Sequence, residues 1–272
     1  RLIHCSERAV QLMGWEHHAS VEGRLLLELL NATDARLNQA LQRLQSGQES
    51  QNREENAFVR RDGTEIHAEW FNSALTDATG RVTSIMTLVQ DVSARVQMAR
   101  QQYHRANHDA LTGLDNRASF HERLERSLAR ARPAADLLAL LFIDLDGFKR
   151  INDQQGHQAG DEVLRIVAQR LLRTVREGDT VARLGGDEFL VMLDKDVTSL
   201  EPERIGQRII EALSQPMIVD GQNLEIGASI GVAMHPPLPG QLEVLMNHAD
   251  QAMYAAKRAG KGRLFHAESE GA

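Results

Sequence analysis

Residues 183–190 read RLGGDEFL, in which two glycines and two acids interrupt an otherwise apolar, strand-like run. A glycine pair accepts positive φ angles and therefore suits a tight hairpin between two strands. The acids then have two interpretations, a solvent-exposed turn with acidic decoration or one wall of a functional site. The motif alone does not separate them, so other parts of the sequence have to decide.

A second acidic pair ends the apolar run FIDLDGF at residues 142–148. In a strand, Asp144 and Asp146 share one face because side chains alternate with a period of two. Ligand sites of α/β folds commonly lie at the carboxyl ends of strands, although a strand that simply meets solvent would look similar. Two such acidic sites predict a site for Mg²⁺, which carboxylates hold together with substrate phosphates. The expected chemistry is metal-assisted phosphoryl or nucleotidyl transfer.

Basic residues close to these acids are candidates for holding phosphate. The segment DGFKRIND, which starts at Asp146, offers a glycine, free backbone amides and Lys149 as a point charge. Lys257 and Lys261 lie one helical turn apart and therefore face the same way. Taken alone, the second pair has a simpler explanation, a solvated basic helix end that the helix dipole favours.

Composition excludes several classes of protein. The chain has 272 residues and a net charge of −7, which argues against a general binder of nucleic acid or anionic membranes. Cys5 is the only cysteine, so an internal disulfide and a cysteine zinc site are excluded and a reducing cytoplasm is expected. No apolar run approaches the roughly 20 residues of a membrane span. Because the chain begins with Arg and has no signal-peptide pattern, we expect a fragment whose parent could carry a membrane anchor elsewhere.

Hydrophobic periodicity changes along the chain and predicts an α/β (α+β) protein with two domains. Helical patterns at 6–15 and 23–47, the latter with a turn at 31–34, precede three strand-like runs. Turn signals at 62–63 and 77–80 join those runs into a meander. After residue 109, strands alternate with helices, which predicts a mixed sheet with helices packed on it. Residues 217–235 read as one hairpin with its turn at 220–221.

A candidate signalling helix lies between the two domains. Apolar residues spaced four, three, four and three positions apart form a heptad-like stripe, namely Val92, Val96, Ala99, Tyr103 and Ala106. The stripe covers about two heptads, fewer than the three or four that a coiled coil needs for a secure assignment. A plain amphipathic linker and a dimer stalk that relays a signal therefore both remain open.

The first domain resembles a PAS domain. The residues that carry the resemblance are RLIHCSERAVQLMGW, FVRRDGTEIHAEW and GRVTSIMTLVQDVSAR, which cover nearly the whole segment. PAS domains are sensory and dimerising modules, so the resemblance implies those roles here. We expect the strand that usually opens the fold to be truncated at Arg1, and the sequence does not identify a ligand.

The second domain resembles the diguanylate cyclase (GGDEF) family. HDALTGLDNR, FIDLDGFKRINDQQGHQAGDEVL, RLGGDEFL and ADQAMYAAKRAGKGR occur in the order and spacing of that family. The resemblance implies a palm-like, nucleotide-cyclase-type fold that joins two GTP molecules into the second messenger cyclic di-GMP with Mg²⁺, or alternatively Mn²⁺. The resulting organisation is a PAS domain at 1–92, a helical linker at 93–108 and a cyclase domain at 109–268.

The same resemblance assigns roles to individual residues. The implied metal ligands are Asp144, the Leu145 carbonyl, Asp187 and Glu188, with Asp187 also the catalytic base, Lys149 a stabiliser of transition-state charge and the role of Glu188 open. The implied contacts to GTP come from Gly147, Phe148, Asn152, His157, Asp161, Gly185, Gly186, Lys257 and Lys261. The family often has Arg where Lys261 stands, so a bidentate contact is lost there.

A product-inhibition site and a dimer also follow from the resemblance. The sequence REGD matches the RxxD pattern of the family, which makes Arg176 and Asp179 the predicted contacts for cyclic di-GMP. Because the product has two phosphodiester bonds and each domain has one nucleotide site, two domains must meet, and the PAS domain and linker helix are expected to form the homodimer. Two alternatives stay open, a catalytically silent sensor of GTP or cyclic di-GMP and a fragment of a bifunctional cyclase and phosphodiesterase.

Overall fold

The computed structural model divides into two units by contact, Arg1–Gln102 and Tyr103–Ala272. The structure describes residues 1–17, 20–30, 35–130, 137–194, 197–235 and 242–267. Among the helices of that described part, none is long and apolar enough to cross a membrane.

The first unit is a set of helices followed by a three-stranded antiparallel meander, as the periodicity predicts. Its elements are α1 Glu7–Leu12, α2 Leu26–Leu29, α3 Ala35–Gln45, β1 Gln51–Val59, β2 Glu65–Thr76 and β3 Val82–Asp91, with strand order β1-β2-β3. Both hairpin turns use a glycine with positive φ, Gly63 and Gly80. The turn predicted at 31–34 lies outside the described residues.

The two faces of this meander differ. The inner face packs against the helices around Trp70, whose indole Nε1 donates a 2.7 Å hydrogen bond to Asn56. The outer face carries a charged cluster in which the buried Glu69 accepts from Arg53 and lies 3.7 Å from Arg95. Arginine side chains of the unit itself therefore neutralise the buried carboxylate of Glu69.

The predicted linker is a helix, α4 Ser93–Asn107. Asp91 Oδ1 accepts a 2.9 Å hydrogen bond from the Ser93 amide, as expected of a residue that starts a helix. Val92, the first residue of the apolar stripe, is buried just before the helix, whereas none of the side chains of α4 is buried and Tyr103 is 71% exposed. Within α4 the stripe is therefore accessible in the single chain, and its role in a dimer stays a prediction.

The second unit is a mixed five-stranded sheet covered by helices, which confirms the predicted fold class. Its elements are α5 Arg117–Arg130, β4 Leu138–Asp146, α6 Phe148–Gln155, α7 His157–Thr174, β5 Thr180–Gly185, β6 Glu188–Leu193, α8 Glu201–Leu213, β7 Met217–Val219, β8 Gln222–Leu224, β9 Gly227–His235, α9 Leu242–Arg258 and β10 Leu264–His266. The strand order is β10-β9-β4-β6-β5, and only the β9–β10 pair among these described strands is parallel.

The central strand β4 is buried on both faces, and its alternation sets the position of the site. Odd-numbered side chains such as Leu141 and Ile143 pack with α7 and α8, whereas even-numbered ones such as Leu140 and Phe142 pack with α5 and α9. With a period of two, Asp144 must then face the α9 side. The acidic end of β4 is in this way directed at the end of α9 that carries the basic residues.

One prediction about the second unit is wrong in part. The turn at 220–221 is present between β7 and β8, but residues 217–235 do not form one hairpin. The chain leaves β8 at Leu224, buries Ile226 in the core and starts β9 at Gly227, where nine residues pair with β4. The long pairing with β4 buries more of this apolar run than a hairpin with β7 would, and no turn signal in the sequence marks the break.

Candidate active site

The carboxyl end of β4 and the glycine turn between β5 and β6 lie side by side. Asp144 is the register partner of Glu188, so both side chains stand on one face of the sheet. The Leu145 amide donates a 3.2 Å hydrogen bond to the Asp187 carbonyl, which joins the turn to β4. The structure thus brings together the four residues predicted to bind metal, and we call the side chains of Asp144, Asp187 and Glu188 the acidic cluster.

The electrostatics of the acidic cluster favour a bound cation. Asp144 is 7% exposed, and burial raises the pKa of its carboxyl group, with the charges of Asp187 and Asp146 acting in the same direction. The Lys257 ammonium, 2.6 Å from Asp144 Oδ2, opposes that rise in pKa. One ammonium therefore faces several carboxylates, and the surplus negative charge suits a further cation.

The glycine turn is held by contacts that the sequence did not reveal. Gly185 and Gly186 have φ angles of +142° and +53°, which side chains rarely tolerate. Arg183 donates to the Gly186 carbonyl from Nε at 3.1 Å and from Nη2 at 2.8 Å. Its Nη1 lies 3.0 Å and 3.1 Å from the two carboxylate oxygens of Asp109. Arg183 and Asp109 both belong to motifs quoted above, but they are 74 positions apart, so the sequence gives no indication that they are in contact.

The start of α6 has backbone features that favour an anion. Gly147 precedes the helix with a φ of +86°, and no side chain caps the first amides of α6. Uncapped amides and the helix dipole together favour phosphate at such a position. Lys149 is exposed in the first turn, while Phe148 is buried in the core and contributes only its backbone.

The residues predicted to recognise guanine lie on α6 and at the start of α7. Asn152 packs directly over Gly160, because a Cβ atom at that glycine would overlap with Asn152 Oδ1. Asp161 follows Gly160 and is exposed, and His157 is the first, exposed residue of α7. Asn152 thus lies beside Gly160, the residue that precedes Asp161, and the shared role in base binding stays a prediction.

The predicted inhibitory residues lie away from the acidic cluster. Arg176 and Asp179 precede β5, whereas the glycine turn follows it, and a strand of that length spans about 17 Å. Arg176 forms an ion pair with Glu201, and its backbone amide donates a 2.9 Å hydrogen bond to Asp179 Oδ2. Burial raises the pKa of the Asp179 carboxyl group. The Arg176 side chain is 64% exposed and remains accessible to a ligand.

The donor set fits Mg²⁺ or Mn²⁺ only when a substrate completes it. In the described part of the chain, no three His, Cys, Asp or Glu side chains converge closely enough to hold a metal ion by themselves. Mg²⁺ is usually held by one or two carboxylates together with substrate phosphates. Asp144 and Asp187 would supply the carboxylates, and the Lys257 ammonium lies on Asp144, where a positive charge is already accepted.

Comparison with known proteins identifies the family. The model of the family "Diguanylate cyclase, GGDEF domain" matches residues 106–263, and that of the PAS fold matches residues 1–92. Diguanylate cyclase TpbB of Pseudomonas aeruginosa is 45% identical over 166 residues, which are 61% of this chain and 38% of TpbB. The probable diguanylate cyclase DgcE of Escherichia coli is 35% identical over 94% of this chain and 23% of its own length.

A solved structure gives the same result for the second unit. The coiled coil and GGDEF domain of DgcB from Caulobacter crescentus, in complex with c-di-GMP, superposes with a TM-score of 0.59 at 31% identity. The match covers 65% of this chain and 93% of that one. The chain spans less than two fifths of the two curated relatives named above. Since the family model matches more than half of its residues, the chain belongs to the diguanylate cyclase GGDEF family and carries a PAS domain before the GGDEF domain.

Proposed function

We propose that the chain is a PAS-regulated diguanylate cyclase that condenses two GTP molecules into cyclic di-GMP and releases two pyrophosphates. The observation that carries the proposal is the intact acidic cluster, in which Asp144 meets Lys257 at the end of β4. The similarity to DgcB, whose structure contains c-di-GMP, supports the nature of the product. An eroded glycine turn would favour a silent sensor, and here both glycines and both acids are present.

The acidic cluster would hold Mg²⁺, or Mn²⁺, through Asp144, Asp187 and the Leu145 carbonyl. When bound, the metal offsets the negative charge of the phosphates and lowers the pKa of the attacking hydroxyl. Glu188, on the same face as Asp144, would hold a second ion or position the turn. Arg183 keeps the Gly186 carbonyl fixed, so the cluster is preorganised before substrate arrives.

The reaction needs one proton acceptor and several cations. Asp187 accepts the proton of the ribose 3′-OH, and the oxygen attacks the α-phosphorus of the second GTP as the bond to pyrophosphate breaks. The triphosphate binds to the amides of Gly147 and Phe148 and to three ammonium groups, those of Lys149, Lys257 and Lys261. Lys149, at the start of α6, stabilises the charge that develops in the transition state.

Base recognition falls to α6 and α7. Asn152 and the Asp161 carboxylate bind the polar edge of guanine, since a carboxylate accepts from its N1–H and exocyclic amine. His157 contributes a further contact at the start of α7. The absence of side chains at Gly185 and Gly186 lets the nucleotide approach the turn closely.

Assembly and inhibition complete the proposal. Each domain binds one GTP, so two domains have to meet with each 3′-OH directed at the other α-phosphate. The PAS domain and the exposed stripe of α4 form the homodimer that brings them together, and the PAS signal sets how often they meet. Cyclic di-GMP binds at Arg176 and Asp179 and inhibits the enzyme.

The experiment is to incubate the chain with GTP and Mg²⁺ and to identify the products by chromatography and mass spectrometry. We expect cyclic di-GMP and pyrophosphate in a ratio of one to two, with a specific activity that rises with protein concentration. A protein that binds GTP but forms no product at any concentration would instead be the silent sensor. Activity independent of concentration down to the monomeric range would contradict the dimer.

A further inference from the structure

Asp146 lies two residues beyond Asp144 on the same face of β4, but its carboxylate has different partners. Its two oxygens lie 2.9 Å and 3.0 Å from the hydroxyl of Ser229, a fully buried residue of β9. Oδ2 also accepts a 2.9 Å hydrogen bond from the Gly262 amide. Gly227, the register partner of Asp146, makes room, because a Cβ there would lie 3.3 Å from Oδ2. Neutral donors therefore engage this carboxylate, whereas an ammonium engages that of Asp144.

The Gly262 amide belongs to the turn that presents Lys261. Lys261 lies beyond the end of α9, so the prediction that it stands one helical turn from Lys257 on the same face is wrong. It has a φ of +63°, a left-handed conformation that is unfavourable for a side chain with a Cβ. Its amide donates to the Ala256 carbonyl at 3.1 Å, and its carbonyl accepts from Arg263 Nε at 3.1 Å. Such a conformation persists only where surrounding contacts hold it. The hydrogen bond from the Gly262 amide to Asp146 ties this turn to the acidic end of β4.

We infer that Asp146 is a positioning residue that fixes Lys261 for the triphosphate, and that it is not a metal ligand. The inference rests on the proposed function, since it concerns the same nucleotide site. The hydrogen bond from Gly262 is one residue away from Lys261, so its loss frees the backbone that directs the ammonium. Asp144 and Asp146 therefore have separate tasks, although the sequence places them as an equivalent pair.

The first test compares Asp146→Ala with Asp146→Asn. Alanine removes both acceptors, and we expect KM for GTP to rise about tenfold, the size of one charge-assisted contact, with kcat changed less than about threefold. Asparagine keeps one oxygen for the Gly262 amide and donates its amide to the Ser229 hydroxyl, so KM should return to within about threefold of wild type. Asp250→Ala, which removes an exposed acid from α9, is the control for charge and should leave KM unchanged.

A double-mutant cycle tests whether Asp146 acts through Lys261. We expect Lys261→Ala to raise KM, and the double variant Asp146→Ala, Lys261→Ala to raise it no further. Effects that multiply would overturn the inference. So would an Asp146→Asn variant that loses kcat as Asp144→Asn does and needs far more Mg²⁺, because that is how a metal ligand behaves.

Nucleotide affinity separates this inference from the proposed function. The α,β-methylene analogue of GTP cannot release pyrophosphate, so its dissociation constant reports binding alone. We expect wild type, Asp250→Ala and Asp146→Asn to bind the analogue with similar affinity. Asp146→Ala should bind it more weakly, in parallel with its higher KM. If wild type forms no cyclic di-GMP but the four proteins keep this order of affinities, the proposed function is refuted and the inference stands. Equal affinity of all four proteins would refute the inference.

Discussion

The three-stranded and the five-stranded sheet each bury a carboxylate, and the two carboxylates have opposite surroundings. On the PAS sheet, Glu69 is 4% exposed, accepts from Arg53 and lies 3.7 Å from Arg95. On the cyclase sheet, Asp144 is 7% exposed and meets one ammonium, while Asp187 adds further negative charge. Arginines of the PAS unit balance the charge of Glu69, whereas the negative charge around Asp144 exceeds that of the single ammonium.

The difference separates a structural charge from a functional one. Glu69 shares its two arginines with its register partner Glu55, which lies 3.3 Å from Arg95, so two positive charges balance two negative ones. A buried acid balanced in this way has no need of a ligand. A buried acid that lies beside other carboxylates destabilises the folded chain. Such an arrangement is found at functional sites, where a bound cation relieves the repulsion. The following predictions test that distinction, starting with the variant expected to have the largest effect.

Replacement of the functional acid should abolish activity without loss of stability. We expect Asp144→Asn to lower cyclic di-GMP synthesis by about 10³-fold or more, since it removes a metal ligand. Because burial raises the pKa of Asp144, its charge is unfavourable in the folded chain, and the free energy of unfolding should stay the same or increase. Product assays and urea denaturation measure both quantities. A parallel loss of activity and stability would make Asp144 a structural residue like Glu69.

Arg176 should affect inhibition and leave the chemistry intact. Because an arginine binds phosphate through two hydrogen bonds, we expect Arg176→Ala to raise the cyclic di-GMP concentration for half-inhibition by about tenfold or more. The initial rate without product should stay within about twofold of wild type, since β5 separates Arg176 from the acidic cluster. Arg173→Ala, which removes an exposed arginine from the end of α7, is the control. An inhibition curve identical to that of Arg173→Ala would remove Arg176 from the inhibitory site.

Asp109 forms an ion pair with Arg183, which also holds the glycine turn between β5 and β6. Burial alone would raise the pKa of Asp109, but hydrogen bonds from Thr112 and Arg183 outweigh it and hold the pKa below its usual value. An acid with a lowered pKa stabilises the fold above its unfolded pKa, and the contribution disappears as the pH falls through the folded value. We expect Asp109→Asn to cost about 1–2 kcal/mol at pH 7 and to lower turnover, because Arg183 also holds Gly186.

Denaturation at several pH values checks the ion pair. The difference in unfolding free energy between wild type and Asp109→Asn should close as the pH falls below about 4. A difference that stays constant with pH would mean that Asn fails for steric reasons and that the charge of Asp109 contributes nothing.

The structural acid should show the smallest effect. We expect Glu69→Gln to lower the free energy of unfolding of the PAS unit by about 1 kcal/mol, because Arg53 and Arg95 are largely exposed and regain water. The kcat at saturating GTP should change less than about twofold, within the range of a residue remote from the chemistry. Thermal unfolding and product assays provide the two numbers. A large loss of kcat with little loss of stability would give Glu69 a functional role and remove the contrast with Asp144.

Short-range patterns in the sequence predicted most of the fold and the core of the site. Strand alternation placed Asp144 on a face with Asp146, and the glycine pair predicted the hairpin at 185–186. These features depend on neighbouring residues, for which spacing is a reliable guide. The acidic cluster then follows from the pairing of β4 with β6.

Contacts between distant residues could not be predicted in this way. The bonds of Arg183 to Asp109 and of Ser229 to Asp146 span 74 and 83 residues, and depend on how the sheet assembles. The split of residues 217–235 between two sheets has the same origin, since β9 is selected by its partner β4. Period and turn chemistry describe one segment at a time and contain no information on which strands pair.

The role of the acidic cluster is tested most directly by the turnover of GTP in wild type and Asp187→Asn, measured side by side with Mg²⁺ at equal protein concentration. We predict that the wild-type chain forms cyclic di-GMP and that Asp187→Asn forms none, while its circular dichroism and its affinity for the α,β-methylene analogue of GTP confirm a folded, substrate-binding protein. Retained turnover in Asp187→Asn would contradict its assignment as metal ligand and base.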